Sequence, residues 1–183
     1  SSGRKMTSGA SNSGLGVNAM ESNTTGACNV AIGQSALSSN VSGNQNTAVG
    51  FSALAGVTTG SENTGVGYNT LNSAVTGQGN NAFGYNNMSS LTTGAANTSV
   101  GTSSSPALTT GADNTTAGAG SGISLTTGSN NVLLGHDAGR TGSPGGNITT
   151  QSNRIVLGDE NITNASIQVD WTVASDQRDK TDF

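Results

Sequence analysis

Few residues of this chain could do chemistry, and three that could are evenly spaced. Phe51, Tyr68 and Tyr85 stand seventeen residues apart. An aromatic column of this kind offers either ring faces for a sugar or rings packed on one another or on a neighbouring chain, and the packed arrangement is the favoured reading. His136 falls in the same phase three intervals after Tyr85. A single histidine without cysteines or clustered carboxylates does not make a metal site. Asp137 adjoins it, but neighbouring side chains on a strand point apart, so no Ser-His-Asp arrangement is expected. The acids Asp113, Asp137 and Asp159 read as scattered, outside any GGxGxD calcium turn. Cys28 is the only cysteine, which excludes an intrachain disulfide. These residues predict no enzyme, no metal and no cofactor.

The interval belongs to the whole chain. Asn12, Asn29, Asn46, Asn63, Asn80, Asn97, Asn114 and Asn131 open eight successive units of seventeen residues. With Asn as position 1, position 5 is glycine throughout, as in Gly33, Gly50 and Gly67. Position 15 is also glycine throughout, as in Gly43, Gly60 and Gly77, and ends at Gly145. Such columns are the signature of a stacked repeat. Glycine reaches positive φ without steric cost, so the two columns predict two sharp turns per unit. Asparagine tolerates the left-handed region, and its amide can bond to the asparagines above and below, as in a ladder.

Between the turns, position 4 runs Leu15, Ile32, Val49, Val66, Phe83, Val100, Ala117, Leu134. Position 9 runs Met20, Leu37, Leu54, Leu71, Met88 and then fades to Ser105, Gly122 and Gly139, while Leu91, Leu108 and Leu125 take over at position 12. Both columns are assigned to the core. Short runs of period two between glycine turns, with no helical stripe, predict strands. The chain is therefore expected to be all-β, a β-solenoid or β-roll of eight rungs, roughly 40 Å long at ~4.8 Å per rung. The organisation predicted is a leader over 1–11, the solenoid over 12–146, a non-repetitive β segment over 147–174 with strand-like runs Arg154 to Leu157 and Ala165 to Val173, and a short tail over 175–183. Rungs this thin predict association with identical chains, with the small position-3 residues (Gly14, Ala31, Ala48, Gly65, Ala82, Ser99) allowing close approach.

Composition narrows the function classes. Only 31% of residues are hydrophobic and the net charge is −4, with Glu21, Glu62 and Asp113 the only charges from Asn12 to Gly135. No basic surface for nucleic acid can be built from these. No apolar run reaches spanning length, so no membrane insertion is expected. The absent initiator methionine and the apolar-poor start lead to the expectation of a fragment without a signal peptide.

The stretches "NVAIGQSAL" and "NTAVGFSAL" resemble the head repeats of trimeric autotransporter adhesins and, equally, the repeat shafts of bacteriophage tail and collar fibres. This resemblance implies a parallel homotrimer. The final "SDQRDKTDF" resembles the opening of the endosialidase-type intramolecular chaperone domain of phage fibres, a trimeric domain that assembles the fibre and then cuts itself off. That resemblance implies Ser175 as nucleophile, Lys180 as base and Ala174–Ser175 as the scissile bond, with 175–183 an inert stub of the chaperone. The expected function is thus a structural or host-recognition segment of a virion tail or collar fibre, its partners two identical chains and a host cell-surface glycan or protein. A bacterial adhesin head on the outer surface is the alternative. An ice-binding solenoid, suggested by the recurrent "TTG", is the third, weakened because adjacent threonines cannot share one face.

Overall fold

The computed structural model describes residues 9–73, 75–164 and 166. Each unit contributes one three-residue strand: β1 (Ser13–Leu15), β2 (Val30–Ile32), β3 (Thr47–Val49), β4 (Thr64–Val66), β5 (Asn81–Phe83), β6 (Thr98–Val100), β7 (Thr115–Ala117), β8 (Val132–Leu134) and β9 (Ile155–Leu157). They form a single sheet in chain order, every pair parallel and in register. The remainder of each rung is turns, and no helix forms among the described residues. The chain is an all-β solenoid.

The solenoid extends past both predicted boundaries. Gly9 and Ala10 already stack on the first rung, through Gly9 N–H to Thr24 O and Cys28 N–H to Ala10 O. At the other end β9 pairs with β8 at an interval of 23 residues instead of 17, Val132 opposite Ile155. The segment after 146 therefore continues the stack as a ninth rung rather than breaking it. The six extra residues form a bulge between Gly139 and Ile148, and Ile148 is buried. Gly145 consequently lies in that bulge and is not a position-15 glycine; Gln151 takes the place, its carbonyl accepting from Asn131. The predicted run Ala165 to Val173 and the tail 175–183, with Ala174, Ser175 and Lys180, lie outside the described residues.

The asparagine ladder forms, and each amide does more than stack. Its Oδ1 accepts the backbone N–H of the asparagine one rung on, at 2.9–3.1 Å from Asn12 to Asn131, and Asn131 accepts from Arg154. Its Nδ2 donates to the position-15 carbonyl of its own rung, closing the loop at 2.8–3.0 Å. Asn29 through Asn131 are buried. The left-handed conformation is not theirs. It belongs to positions 7, 9 and 17, among them Ser35, Leu37 and Gln45.

The two glycine columns have different causes. Position 5 turns the corner with φ between 114° and 138°. Position 15 is not in the positive-φ region, contrary to expectation. It is glycine because a Cβ there would stand 1.9–2.6 Å from the carbonyl oxygen of the next rung, closer than any real contact. Rung spacing is set by that approach.

Strand alternation places position 3 inside and positions 2 and 4 outside. This corrects two assignments. The position-4 column is not core: Leu15, Ile32, Phe83, Val100, Leu134 and Leu157 are exposed. The small position-3 residues, exposed Gly14 of the first strand apart, are not a contact face for other chains, because Ala31, Ala48, Ala82 and Ser99 are fully buried in their own roll. They are small to admit position 9. A Cβ on Gly65 would stand 1.9 Å from Leu54 Cδ1. Where position 9 shrinks to Ser105, Gly122 and Gly139, position 3 grows to Thr116 and Leu133, so the core volume is exchanged between the columns. Thr116 also gathers Ser99, Ser104 and Ser105 into a buried hydroxyl cluster at 2.8–3.0 Å. Position 12 contributes Leu91, Leu108 and Leu125 as expected, but in the first two rungs it is a second buried asparagine pair, Asn23 and Asn40.

Gly67→Val should lower stability by more than ~3 kcal/mol, since it meets both a positive φ and the Gly84 carbonyl, while Thr59→Val at an exposed position should change it by less than ~0.5 kcal/mol. Chemical denaturation followed by circular dichroism compares them; equal midpoints would refute the corner assignment. Thr70 Oγ1 is buried without a hydrogen-bond partner. Thr70→Val should therefore be neutral or stabilise by up to ~1 kcal/mol in the same assay, and a loss above ~2 kcal/mol would contradict this.

Candidate functional site

Position 6 follows the corner glycine and lies beside the outward position-4 column. Its residues are Val17, Gln34, Phe51, Tyr68, Tyr85, Thr102, Ala119, His136 and, after the 23-residue interval, Asp159. Backbone bonds from position 7 to the preceding position-6 carbonyl hold the column in line, as from Asn69 N–H to Phe51 O and Asn86 N–H to Tyr68 O. Stacked rungs therefore bring Phe51, Tyr68 and Tyr85 together. Phe51 and Tyr68 have ring centroids 5.2 Å apart at 9°, and Tyr68 and Tyr85 5.2 Å apart at 11°. Ring faces are spent on neighbouring rings, and only the outer faces of Phe51 and Tyr85 are left. Their exposures of 44, 48 and 53% show that the ring edges stay in water.

Further along the same column the stack is ionic. His136 Nδ1 lies 3.2 Å from Asp159 Oδ2 and 3.7 Å from Asp137 Oδ2. This overturns two expectations. His136 and Asp137 lie in a turn, not on a strand, and with Asp137 left-handed their side chains converge. Asp137 and Asp159 are not scattered but flank one imidazole, 23 residues of winding having brought Asp159 onto His136; Asp113 stays apart. Arg140 pairs with Asp137 from the bulge, and Ser143 Oγ donates to the Asp137 carbonyl at 2.9 Å. The missed signal is the likeness of "TTQSNRIVLG" (149–158) to "TTGSNNVLLG" (126–135), hidden by the changed interval.

Asp159 is held below the usual carboxylate range, first by the Asn161 N–H at 2.9 Å, then by the Asn161 amide and by His136. Among the described residues no group of three or more His, Cys, Asp or Glu side chains is placed to hold a metal ion. No hydroxyl or thiol among the described residues is hydrogen-bonded to His136. The cluster is a joint between the eighth and ninth rungs.

The remaining predicted residues hold structural places. Asn29, Asn46 and Asn63 are ladder members, Gly33, Gly50 and Gly67 corners, and Gly43, Gly60 and Gly77 points of close approach. The position-14 column is fuller than the sequence indicated. With Thr150 in the eighth rung, all eight positions are Thr or Ser. At position 13, however, the hydroxyls of Thr24, Thr92, Thr109 and Thr126 donate to backbone carbonyls of the next rung, so a single column of hydroxyls faces water here. The described residues enclose no pocket and include no helix long and apolar enough to cross a membrane. No family model, curated protein or solved structure matches the chain.

The lowered Asp159 pKa makes the last joint acid-sensitive. A carboxylate depressed in the folded state adds stability above its unfolded value near ~4 and loses it as pH falls through the folded one. Amide-exchange protection at Ile155–Leu157 should fall below pH ~4 while that of Thr47–Val49 persists, and Asp159→Asn should remove this step. An unchanged profile in Asp159→Asn would refute the joint.

Proposed function

We propose that this chain is a structural and host-recognition segment of a phage tail or collar fibre, a rod that acts in the virion as a parallel homotrimer, either adhesive or as a spacer. The observation that supports it is the outward face of the sheet. Position 4 gives an apolar stripe running the length of nine strands, from Leu15 through Ile32, Val66 and Val100 to Leu157; position 2 widens it at Val30, Val132 and Ile155 and borders it elsewhere with Ser13, Asn81 and four threonines. Contiguous apolar patches on this scale mark interaction surfaces.

The partner that fits such a stripe is another copy of the same rod. Contact along the whole face requires a surface with the same axial period, and a second copy in parallel register has it by construction. Three copies with their stripes turned to a common axis remove all three from water. Outside the stripe and the ring column the surface is largely polar, and from Asn12 to Gly135 its only charges are Glu21, Glu62 and Asp113, which suits an inert shaft outside a cell. The adhesin head shares these features, and what favours the fibre is the resemblance of "SDQRDKTDF" to the chaperone opening.

The experiment has two readouts. Light scattering of the chain should give three times 17.9 kDa, and Val66→Asp should abolish that mass; a folded monomer would refute the trimer. Expression of the full-length gene should yield a fragment ending at Ala174, with Ser175→Ala and Lys180→Ala both uncut. Cleavage surviving in Ser175→Ala would leave the adhesin as the better reading.

A further inference from the structure

A face that repeats along its axis has a register problem. Two copies slipped by one rung, ~4.8 Å, keep their apolar stripes in contact over all but one strand. Position 4 punishes the slip only where Phe83 and Ala117 stand, since Ile32, Val49, Val66 and Val100 are near equivalents. The ladders do not punish it, because the asparagines are buried inside each chain. Something outside the period must choose one alignment.

We infer that the stacked column Phe51, Tyr68 and Tyr85 is the register key between copies of this chain. The inference rests on the self-association proposed above. Four of the six aromatic residues in the chain fall on three consecutive rungs at the outward face: the three rings and Phe83. On either side the position-6 column drops to Gln34 and to Thr102 and Ala119. The rings thus form one ridge on an otherwise even rod. Stacking already fixes their rotamers, so covering their wet edges with a second copy costs little further side-chain entropy. In register, ridge meets ridge at the rim of the shared face. After a one-rung slip, the terminal rings face Gln34 or Thr102, and apolar edges are left in water.

The key can be moved. Phe51→Ser with Thr102→Tyr shifts the three-ring ridge to Tyr68, Tyr85 and the new tyrosine, one rung along, at exposed sites and with a residue that this column already accepts twice. Both chains carry Cys28→Ser, serine being the residue at the equivalent Ser11. Reporter cysteines go on the outward face away from the key: Ala117→Cys in one unshifted chain, and either Ala117→Cys or Leu134→Cys in an isotope-labelled partner chain that is made both unshifted and with the shifted key. The chains are refolded together, oxidised and analysed by peptide mass spectrometry.

Unshifted chains should link 117 to 117 in preference to 117 to 134, because disulfide geometry tolerates little axial offset. In mixed assemblies with the shifted key the preference should invert to 117 with 134. An unchanged 117-to-117 preference in the mixture overturns the register key while leaving self-association intact. A monomeric mass before oxidation, or no link through Ala117→Cys at all, overturns the self-association reading and the key with it. A multimer that links 117 to 117 and 117 to 134 equally without any shift shows that no key exists.

Discussion

Everything in this molecule hangs on one side-chain amide per rung. The position-1 asparagine closes its own loop through Nδ2 to the position-15 carbonyl and receives the next rung through Oδ1. Buried polar groups are tolerated only when bonded, and here the amide, besides bonding its neighbour in the ladder, satisfies one backbone carbonyl and one backbone N–H. Glutamine would be too long for both distances and aspartate has no donor. The invariance of the column across the eight units follows from that double duty. The position-15 glycine is its counterpart: the carbonyl that accepts the amide can come so near only because no Cβ intervenes.

With rung spacing fixed, the interior has room for only a few side chains, and they are shared out between columns. Leu37 and Leu54 sit at left-handed φ of 51° and 52°, a costly conformation for a large residue, and they persist because the turn gives position 9 its only route inward. Leucines held this way need alanine or glycine opposite. When the upper rungs abandon them, Ser105 and Gly122 sit more easily at the same φ and Thr116 and Leu133 fill the volume. Each rung contacts only its neighbours, so the change can be made gradually along the rod without loss of the fold.

The same geometry arranges the surface. Because position 3 points in, positions 2 and 4 must point out, and the apolar residues they carry are displayed along one side of the rod. Position 6 then records what is not periodic: a ring stack in the middle and an ionic joint at the end. Six of the nine acidic, basic and histidine side chains of the described residues gather at that end: His136, Asp137, Arg140, Arg154, Asp159 and Glu160. The shaft before it, from Asn12 to Gly135, carries only Glu21, Glu62 and Asp113.

Sequence alone determined the period, the asparagine ladder, the all-β class and the stacking of Phe51, Tyr68 and Tyr85 in one column, since each follows from residue type at fixed spacing. It did not determine which columns face inward. Positions 4 and 9 are both apolar, and alternation fixes only that positions 3 and 4 face opposite ways; the left-handed turns at positions 7 and 9 decide which side is inside. It also concealed the ninth rung, because "TTQSNRIVLG" returns after 23 residues and a count of seventeen assigns Gly145 to a column it does not occupy. The meeting of His136 with Asp159 depends on that bulge. Periodicity is a local property that can be read along a chain, whereas facing and closure depend on how the turns bend it back on itself, and only the tertiary structure fixes that.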